Sequence, residues 1–514
     1  MPKRDLISWN TGIRIFADNE RLLDCVGLFK NMIAKSGFVP NVISVVSVLP
    51  VCASLENERL VSLIHSYVFK VGLDGEIRIG NALVDAYGKC GNTGALEGVF
   101  DDMVERNEVS WNSIIGGFSR TGLNSNALNC FRAMIREHVE INTVTIATIL
   151  PTLIELNLLD KGKEIHGFTV KIGMDSDAFV ANALVDMYGK SRRFSEASSV
   201  FYNIGAKNIV SWNTMIGNFA QNGLEFEALE LSSNSISLFT EMEMLGLNLD
   251  TVSYMGVLSA CTNMSAVKEG KQIHAFATRR LFHEHLFIAN SFLDFYTKCG
   301  QIEIAKKLFD RIPKRDTASW NTMILGFGML GEFQSSVDLF EAMKEDGVEY
   351  DSVSYIAVLS ACSHGGLVER GKSYFNDMLA RKNLEPSETH YACMVDLLGR
   401  CGLMEEAVKL INGMPMKPGA NTWGALLGAS RVHGNVELGF WAGENLLEAK
   451  PDNPGYYVVL SNMYAEAGRW EDADRVRKTM STRRVKKNPG CSWVQVQDQM
   501  QGFISGERFD PYLS

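Results

Sequence analysis

An all-α solenoid, built of helical hairpin repeats stacked into a superhelix, is the fold class this sequence predicts, and three recurrences predict it. Ser-Trp-Asn occurs at Ser8-Trp9-Asn10, Ser110-Trp111-Asn112, Ser211-Trp212-Asn213 and Ser319-Trp320-Asn321, with the first two intervals nearly equal and the last somewhat longer. Gly80-Asn81-Ala82-Leu83-Val84-Asp85, Ala181-Asn182-Ala183-Leu184-Val185-Asp186 and Ala289-Asn290-Ser291-Phe292-Leu293-Asp294 keep the same spacing, as do Ile64-His65, Ile165-His166 and Ile273-His274. Self-similarity at a fixed period marks a repeat array, which has to be read unit by unit.

Each period divides into three units, and each unit carries two apolar-periodic stretches of helical length around a Gly- or Asn-containing turn, so each is expected to be a helical hairpin. The first kind covers 6–41, 108–142, 209–250 and 317–351; a short insertion near Ser232 to Ser237 lengthens the third copy and explains the longer last interval. The second kind covers 42–76, 143–177 and 251–285, equal in length, with 352–387 as a variant one residue longer. The third kind is shorter and covers 77–107, 178–208 and 286–316, again equal in length, with 388–419 as a variant. Twelve hairpins over 6–419 follow, in the order long, long, short. Residues 1–5 read as the remnant of a short unit, because Met1-Pro2-Lys3-Arg4-Asp5 parallels Ile312-Pro313-Lys314-Arg315-Asp316. The array is therefore expected to begin inside a repeat, as a truncated or degenerate copy would. A lone hairpin cannot bury its apolar face, so stacking must supply the core and leave a continuous concave groove.

Composition excludes several classes. A content of 46% hydrophobic residues with 12 prolines is ordinary for a folded chain and unlike disordered or Pro-rich ones. The most apolar stretch, Val42 to Leu55, is broken by Ser44, Ser47 and Pro50 and is shorter than the roughly 18 to 20 residues of a membrane span, so no membrane segment is expected. Ten cysteines, several at equivalent repeat positions and none in a C-x-x-C pair, suit small buried residues in a reducing compartment. A net charge of -10 argues against indiscriminate binding to phosphate backbones but not against base-by-base recognition. The basic cluster Arg475, Arg477, Lys478, Arg483, Arg484, Lys486 and Lys487 reads as a solvated helix face, with a nucleic-acid contact as the alternative.

The units resemble pentatricopeptide repeats of the plant PLS class over nearly the whole chain. P-type units carry Val-Ser-Trp-Asn, L-type units the Gly-Lys-Glu-Ile-His stretch at 162–166, and S-type units Asn-Ala-Leu-Val-Asp-Met-Tyr-Gly-Lys at 182–190. Tetratricopeptide hairpins, all of one length, do not fit a regular long, long, short alternation. The resemblance implies a right-handed superhelix that binds single-stranded RNA, one base per repeat. In the family the fifth residue of the first helix and the last residue of the repeat read the base together. Carried onto this sequence, the pairs are Asn10 with Asn41, Asn81 with Asn107, Asn112 with Asn142, Asn182 with Asn208, Asn213 with Asp250, Asn290 with Asp316, and Asn321 with Asp351.

Residue chemistry points the same way, because Asn is a poor helix-interior residue whose amide offers a base edge both a donor and an acceptor. The same Asn could instead cap helices or bond between hairpins, but capping alone would admit Ser, Thr or Asp at some of the seven places. L-type units have Val46, Ala147, Met255 and Ile356 at the fifth position, which cannot hydrogen-bond a base, so these units are expected to space rather than read. The second residue of a reading unit is expected to pack against the base, a role that suits Ile7, Val109, Phe179, Val210 and Phe287; Arg78 and Ala318 depart from it. Arg78 suits a stacked guanidinium or a phosphate contact, and Ala318 a weaker repeat. By resemblance an Asn-Asn pair accepts cytosine or uracil and an Asn-Asp pair favours uracil. The implied target is pyrimidine-rich, from 5′ to 3′ Y, any, Y, Y, any, Y, U, any, U, U, and then two poorly specified positions.

Trp9, Trp111, Trp212 and Trp320 are expected to pack between hairpins, since an aromatic next to Asn lies about 100° around the helix. His65, His166 and His274 lie a full period apart in separate repeats, so packing is expected rather than a metal site. After Gly419, residues 420–489 resemble the E1 and E2 motifs of organellar RNA-editing factors, on Thr422-Trp423-Gly424-Ala425-Leu426-Leu427 and Leu460-Ser461-Asn462-Met463-Tyr464-Ala465. Residues 490–514 resemble a truncated E+ extension that opens Pro489-Gly490-Cys491-Ser492-Trp493, with Val494, Val496 and Phe503 alternating as a strand would. A DYW cytidine deaminase needs H-x-E and a downstream C-x-x-C; His138-Val139-Glu140 meets only the first and lies inside a repeat. The expectation is a non-enzymatic specificity factor for C-to-U editing, without cofactor or metal, that recruits a DYW-type deaminase or other editing factor through its E region. Its localisation, mitochondrion or chloroplast, rests on resemblance alone. The alternatives are an RNA stabilisation or splicing factor and a protein-binding solenoid scaffold; seven identically placed Asn residues weigh against the scaffold.

Overall fold

The computed structural model describes residues 5–36, 38–221, 228–280, 285–381, 383–485, 491–496 and 499–504. The first helix of every unit starts at the unit's first residue. These helices are α1 (Leu6–Asp18), α3 (Val42–Ser54), α5 (Ile77–Lys89), α7 (Glu108–Arg120), α9 (Thr143–Glu155), α11 (Ala178–Lys190), α13 (Ile209–Gln221), α15 (Thr251–Asn263), α17 (Leu286–Lys298), α19 (Thr317–Met329), α21 (Ser352–Gly365) and α23 (Glu388–Arg400). The E region continues the pattern with α25 (Ala420–Val432) and α27 (Pro454–Glu466). Even-numbered helices close each hairpin, among them α6 (Thr93–Asp102), α12 (Phe194–Asn203) and α18 (Ile302–Arg311).

Capping chemistry sets these starts. The last residue of a unit, such as Asn107 at φ -113° and ψ -177°, stays extended, and its side-chain oxygen takes the free N–H of the third helical residue. A Ser or Thr at that third position returns a bond to the cap in Asn41/Ser44, Asn107/Ser110, Asn142/Thr145, Asp250/Ser253 and Asp351/Ser354, five reciprocal capping boxes. Asp5 caps α1 as Asp316 caps α19, each accepting from the Ser three residues on; residues 1–4 lie outside the described residues. Within the S-type hairpins the turn needs a left-handed residue, supplied by Gly91, Gly300 and Gly402 at φ 77°, 70° and 78° and by Arg192 at φ 57° in the remaining copy.

The chain divides into two units, Met1–Asn222 with Glu241–Asn248, and Gly223–Thr240 with Leu249–Ser514. In the first, α1, α3, α5, α7, α9, α11 and α13 pack side by side in chain order; in the second, α15, α17, α19, α21, α23 and α25 do the same. The helical repeats are thus an all-α solenoid in each unit, where the apolar faces of consecutive hairpins pack into a shared core. The insertion extends a helix: α14 (Ala228–Met244) runs 17 residues against 13 in α8 (Asn124–Arg136) and α20 (Phe333–Glu345). The tail forms an antiparallel hairpin of β1 (Cys491–Val496) and β2 (Gln499–Ile504), with Ser492 opposite Phe503 and Val496 opposite Gln499. Among the described residues no helix is long and apolar enough to cross a membrane.

The four Trp side chains are buried. Trp111, Trp212 and Trp320 meet Phe100, Phe201 and Phe309 of the preceding S-type hairpin edge to face, with centroids 4.9, 5.1 and 4.9 Å apart. On each of these Phe rings stands a cation, from Arg106, Lys207 and Arg315 respectively. The recurrent His residues staple L-type to S-type hairpins through Nδ1, 3.1 Å from the Tyr87 hydroxyl for His65 and 2.9 Å from Tyr188 and Tyr296 for His166 and His274. Cys52, Cys261 and Cys362 are buried and unpaired, and burial pushes each thiol up to about 12; Cys401 departs from the pattern, being exposed.

Candidate nucleic-acid interface

In five of the seven pairs the fifth-position Asn and the last residue of the same unit meet, although they stand at opposite ends of the hairpin's sequence, whereas Asn182 makes no hydrogen bond to Asn208. Nδ2 of Asn10, Asn81, Asn112, Asn290 and Asn321 donates to Oδ1 of Asn41, Asn107, Asn142, Asp316 and Asp351 at 3.1, 3.3, 3.2, 3.0 and 3.0 Å. That same Oδ1 is already committed as a cap. It takes the N–H of Ser44, Ser110, Thr145, Ser319 and Ser354, as Oδ1 of Asn208 and Asp250 takes those of Ser211 and Ser253, at 2.8 to 3.1 Å. A cap oxygen pinned as an acceptor can face only a donor, so the helix start fixes which end of the fifth-position amide points at it. The hydroxyls of Ser44, Ser110 and Ser319 then donate to Oδ1 of Asn10, Asn81 and Asn290 at 2.5, 2.6 and 2.7 Å. Oδ1 of Asn112, Asn182 and Asn321 is buried without a partner, and an unmet acceptor of this kind costs about 1–3 kcal/mol. Asn213 lies on α13 in the first unit and Asp250 caps α15 in the second.

Asp316 differs from an Asn cap in charge. Burial alone would raise its pKa, but hydrogen bonds from the Ser319 N–H and hydroxyl and from the Asn290 amide outweigh this, and the carboxyl stays below its usual range. The bonds that reach Asp316 and Asp351 in this network all end on Oδ1, which leaves Oδ2 as a further acceptor.

Beside the amides runs a stripe of uncovered apolar side chains. Ile7, Val109, Phe179, Val210 and Phe287 are all exposed, Ile7 at 74% and Phe287 at 71%. The stripe continues where no packing role was assigned, through Ile43, Val144, Val252 and Val353 at the second position of the L-type units, also exposed. Around Asn290 these features enclose a cleft of about 400 Å³ whose walls include Met255, Phe287, Asn290, Asp294, Lys298 and Asp316.

Lys298 belongs to a set that sequence reasoning missed. Lys89, Lys190 and Lys298 each pair with the Asp one turn back, Asp85, Asp186 and Asp294, at 2.7, 2.8 and 2.8 Å. Asn, Asp and Lys fall at i, i+4 and i+8 in all three S-type helices, a spacing that puts them on one face and could have been read from the sequence. The series of Asn-to-cap pairs ends at Asp351. In the next S-type unit Ala392 stands at the fifth position and Gly419 at the cap, and Glu388 replaces the missing cap by accepting from the Thr422 N–H and hydroxyl at 2.9 and 2.7 Å.

In the basic cluster, Arg475 and Lys478 are ion-paired to Asp472 and Asp474, Arg477 donates to Ser461 and Arg483 to Tyr457; Lys486 and Lys487 lie outside the described residues. His138 sits in a turn at φ 57°, and no metal-holding group of His, Cys, Asp or Glu occurs among the described residues.

Known proteins share this architecture. Segments 81–108, 109–139, 179–209, 210–231, 287–316, 353–382 and 389–417 match the PPR repeat model, 315–364 matches the PPR repeat family model, and 433–495 matches the E motif. The chain is 37% identical over 514 residues to Pentatricopeptide repeat-containing protein At1g11290, chloroplastic, of Arabidopsis thaliana, covering 99% of this chain and 62% of that protein. It is 36% identical to At3g57430, chloroplastic, covering 99% of this chain and 58% of the relative, and 38% identical to At2g13600, covering 93% and 73%, both from the same plant. It thus spans about three fifths of the length of the first two relatives. The pentatricopeptide repeat protein PPR10, crystallised with an 18-nt psaJ RNA element, superposes with a TM-score of 0.60 at 17% identity over 94% of this chain and 74% of that one, a likeness of fold. The chain belongs to the pentatricopeptide repeat family and carries an E motif behind its repeats.

Proposed function

We propose that the chain binds single-stranded, pyrimidine-rich RNA, one base per P- or S-type hairpin, and selects sites for C-to-U editing of organelle transcripts. The observation that carries this reading is the repeated Asn-to-cap hydrogen bond, which orients the same amide in hairpin after hairpin. Of the two Nδ2 hydrogens one goes to the cap, and the second suits the O2 carbonyl that cytosine and uracil share. The cap supplies the discrimination. Oδ2 of Asp316 or Asp351 accepts the N3–H of uracil but meets the N3 lone pair of cytosine, whereas the NH₂ of an Asn cap can donate to N3 of cytosine or to a carbonyl oxygen of uracil. Each base sits against exposed apolar residues such as Phe179 and Phe287, and stacking of this kind contributes about 1–3 kcal/mol per base. The ammonium groups of Lys89, Lys190 and Lys298 suit the phosphates between bases.

The E motif and the chloroplastic relatives support an organellar editing factor that acts with a deaminase supplied by a DYW-type partner. Selection from a randomised RNA pool at fixed salt tests the reading: spaced pyrimidines, with uracil at the Asp-capped positions, are expected, and no enrichment overturns it. Asn213→Thr adds a local check, since it should move the preference at one base from pyrimidine to purine and leave the others alone.

A further inference from the structure

We propose that the strand held by the hairpins does not end at the Asn321–Asp351 pair but continues into a cleft of the E region that holds nucleotides by shape and charge without reading them; this rests on the RNA-binding reading above. The cleft lies between α21, α23, α25 and α27, measures about 850 Å³, and has Arg400, Gly424, Gly428, Arg431 and Tyr456 in its walls. A hollow of about 360 Å³ shares Ser363, Asp396, Gly424, Ala425 and Tyr456 with it.

Counted from the start of each helix, the walls include second, fifth, sixth, ninth, twelfth and thirteenth residues of α21, α23 and α25. The same positions of α15, α17 and α19 wall the cleft around Asn290, so both openings lie on one face of one stack. What changes along that face is the reading chemistry. Asn290 and Asp316 give way to Ala392, Gly424 and Gly419, none of which can interrogate a base edge. The space they leave is open, since a Cβ added at Gly424 or Gly428 meets nothing within 4 Å, and the cleft has about twice the volume of the one at Asn290.

The charge fits a phosphodiester. Arg400 stands at the offset of Lys298 and is held by Asp396 at 2.8 Å, which in turn accepts from the Ser363 hydroxyl at 2.6 Å. Arg431 adds a second cation against that one carboxylate, and Tyr456 offers a ring on which a base can stack. An acidic, stackable, flexible strand matches these walls better than a peptide does.

The test measures affinity for an RNA matching the hairpin tract, and for the same RNA lengthened by four uridines at one end or the other. Lengthening at only one end should tighten binding about five- to tenfold, and Gly428→Leu, which fills open space, should abolish that gain without changing affinity for the short RNA. Arg431→Gln should lower the salt dependence for the longer RNA only. The proposal is overturned if neither extension gains, or if the gain survives Gly428→Leu. Gly428→Leu lowering editing in organelle extract with no effect on RNA affinity would assign the cleft to a protein segment and overturn it likewise. Failure of even the short RNA to bind would strike the RNA-binding reading instead.

Discussion

Trp111 and Asn112 are neighbours in sequence, and one helical step of about 100° gives them separate duties. Trp111 is 3% exposed and locked against Phe100, so Trp111→Ala leaves a cavity and is expected to cost about 3–5 kcal/mol, seen as a large fall in Tm. Asn112→Ala removes one hydrogen bond from a cap that keeps its helix N–H but also removes the unpartnered Oδ1, so stability should change by less than about 1 kcal/mol. The selected RNA motif should then lose its preference at that one base; a Tm collapse with an unchanged motif would make Asn112 structural. The cap residue carries a different test. Asp316→Asn keeps the bonds to Ser319 and Asn290 possible but replaces the free carboxylate oxygen by a donor, so preference at that base should relax from uracil to either pyrimidine. Because the Asp316 carboxyl lies below the ordinary range, near 4, the wild-type preference should hold from about pH 8 to pH 5 and fade only in stronger acid.

Between elements, the spacing of consecutive first helices is set where they touch. A Cβ on Gly88 would stand 2.9 Å from the Gly117 Cα, a backbone atom that cannot step aside, so Gly88→Ala should destabilise by about 1–2 kcal/mol despite the better helix propensity of Ala. Gly98→Ala, with nothing within 4 Å of the new methyl, should stabilise by about 0.5–1 kcal/mol, and equal signs in denaturant melts would refute the packing account. The His–Tyr staples give elements a pH response. Burial lowers the His166 pKa, so its contribution is complete above about pH 6.5 and is lost as the pH falls through the folded value. The fourth copy replaces the pair by Phe375 and Leu398, and the double variant His166→Phe/Tyr188→Leu should flatten the acid limb of stability. His166→Phe alone should cost about 1–3 kcal/mol by orphaning the Tyr188 hydroxyl. The helix starts were legible in the sequence because a polar cap and a third-position Ser or Thr are local signals, and the Trp burial because neighbouring residues on a helix face different ways. The Asp–Lys pairs lie at i+4 and i+8 from the fifth-position Asn, on the same helix face, and were legible from that spacing; the L-type apolar residues were not, since nothing local to Val252 says which helix face the stack leaves open, which is decided by the packing of the adjacent hairpins. Glu388 escaped for the same reason, as the helix it caps is not its own α23 but α25 of the next hairpin.

For the whole molecule, a net charge of -10 and a nucleic-acid partner coexist only if the cations that matter are few and placed. The S-type lysines meet that condition, each held by an Asp one turn back, with Lys298 in the wall of the cleft around Asn290. Affinity is then a sum over hairpins that touch only their neighbours, and specificity is a sum of caps, so the two can be separated. If Lys190 meets a phosphate as proposed, Lys190→Gln removes that contact and no base contact. Binding should weaken to a similar degree for every RNA that binds, the slope of log affinity against log salt should shrink by about 0.7, and the motif selected from a random pool should stay as it was. A changed motif with an unchanged salt slope would instead mean that Lys190 reads a base.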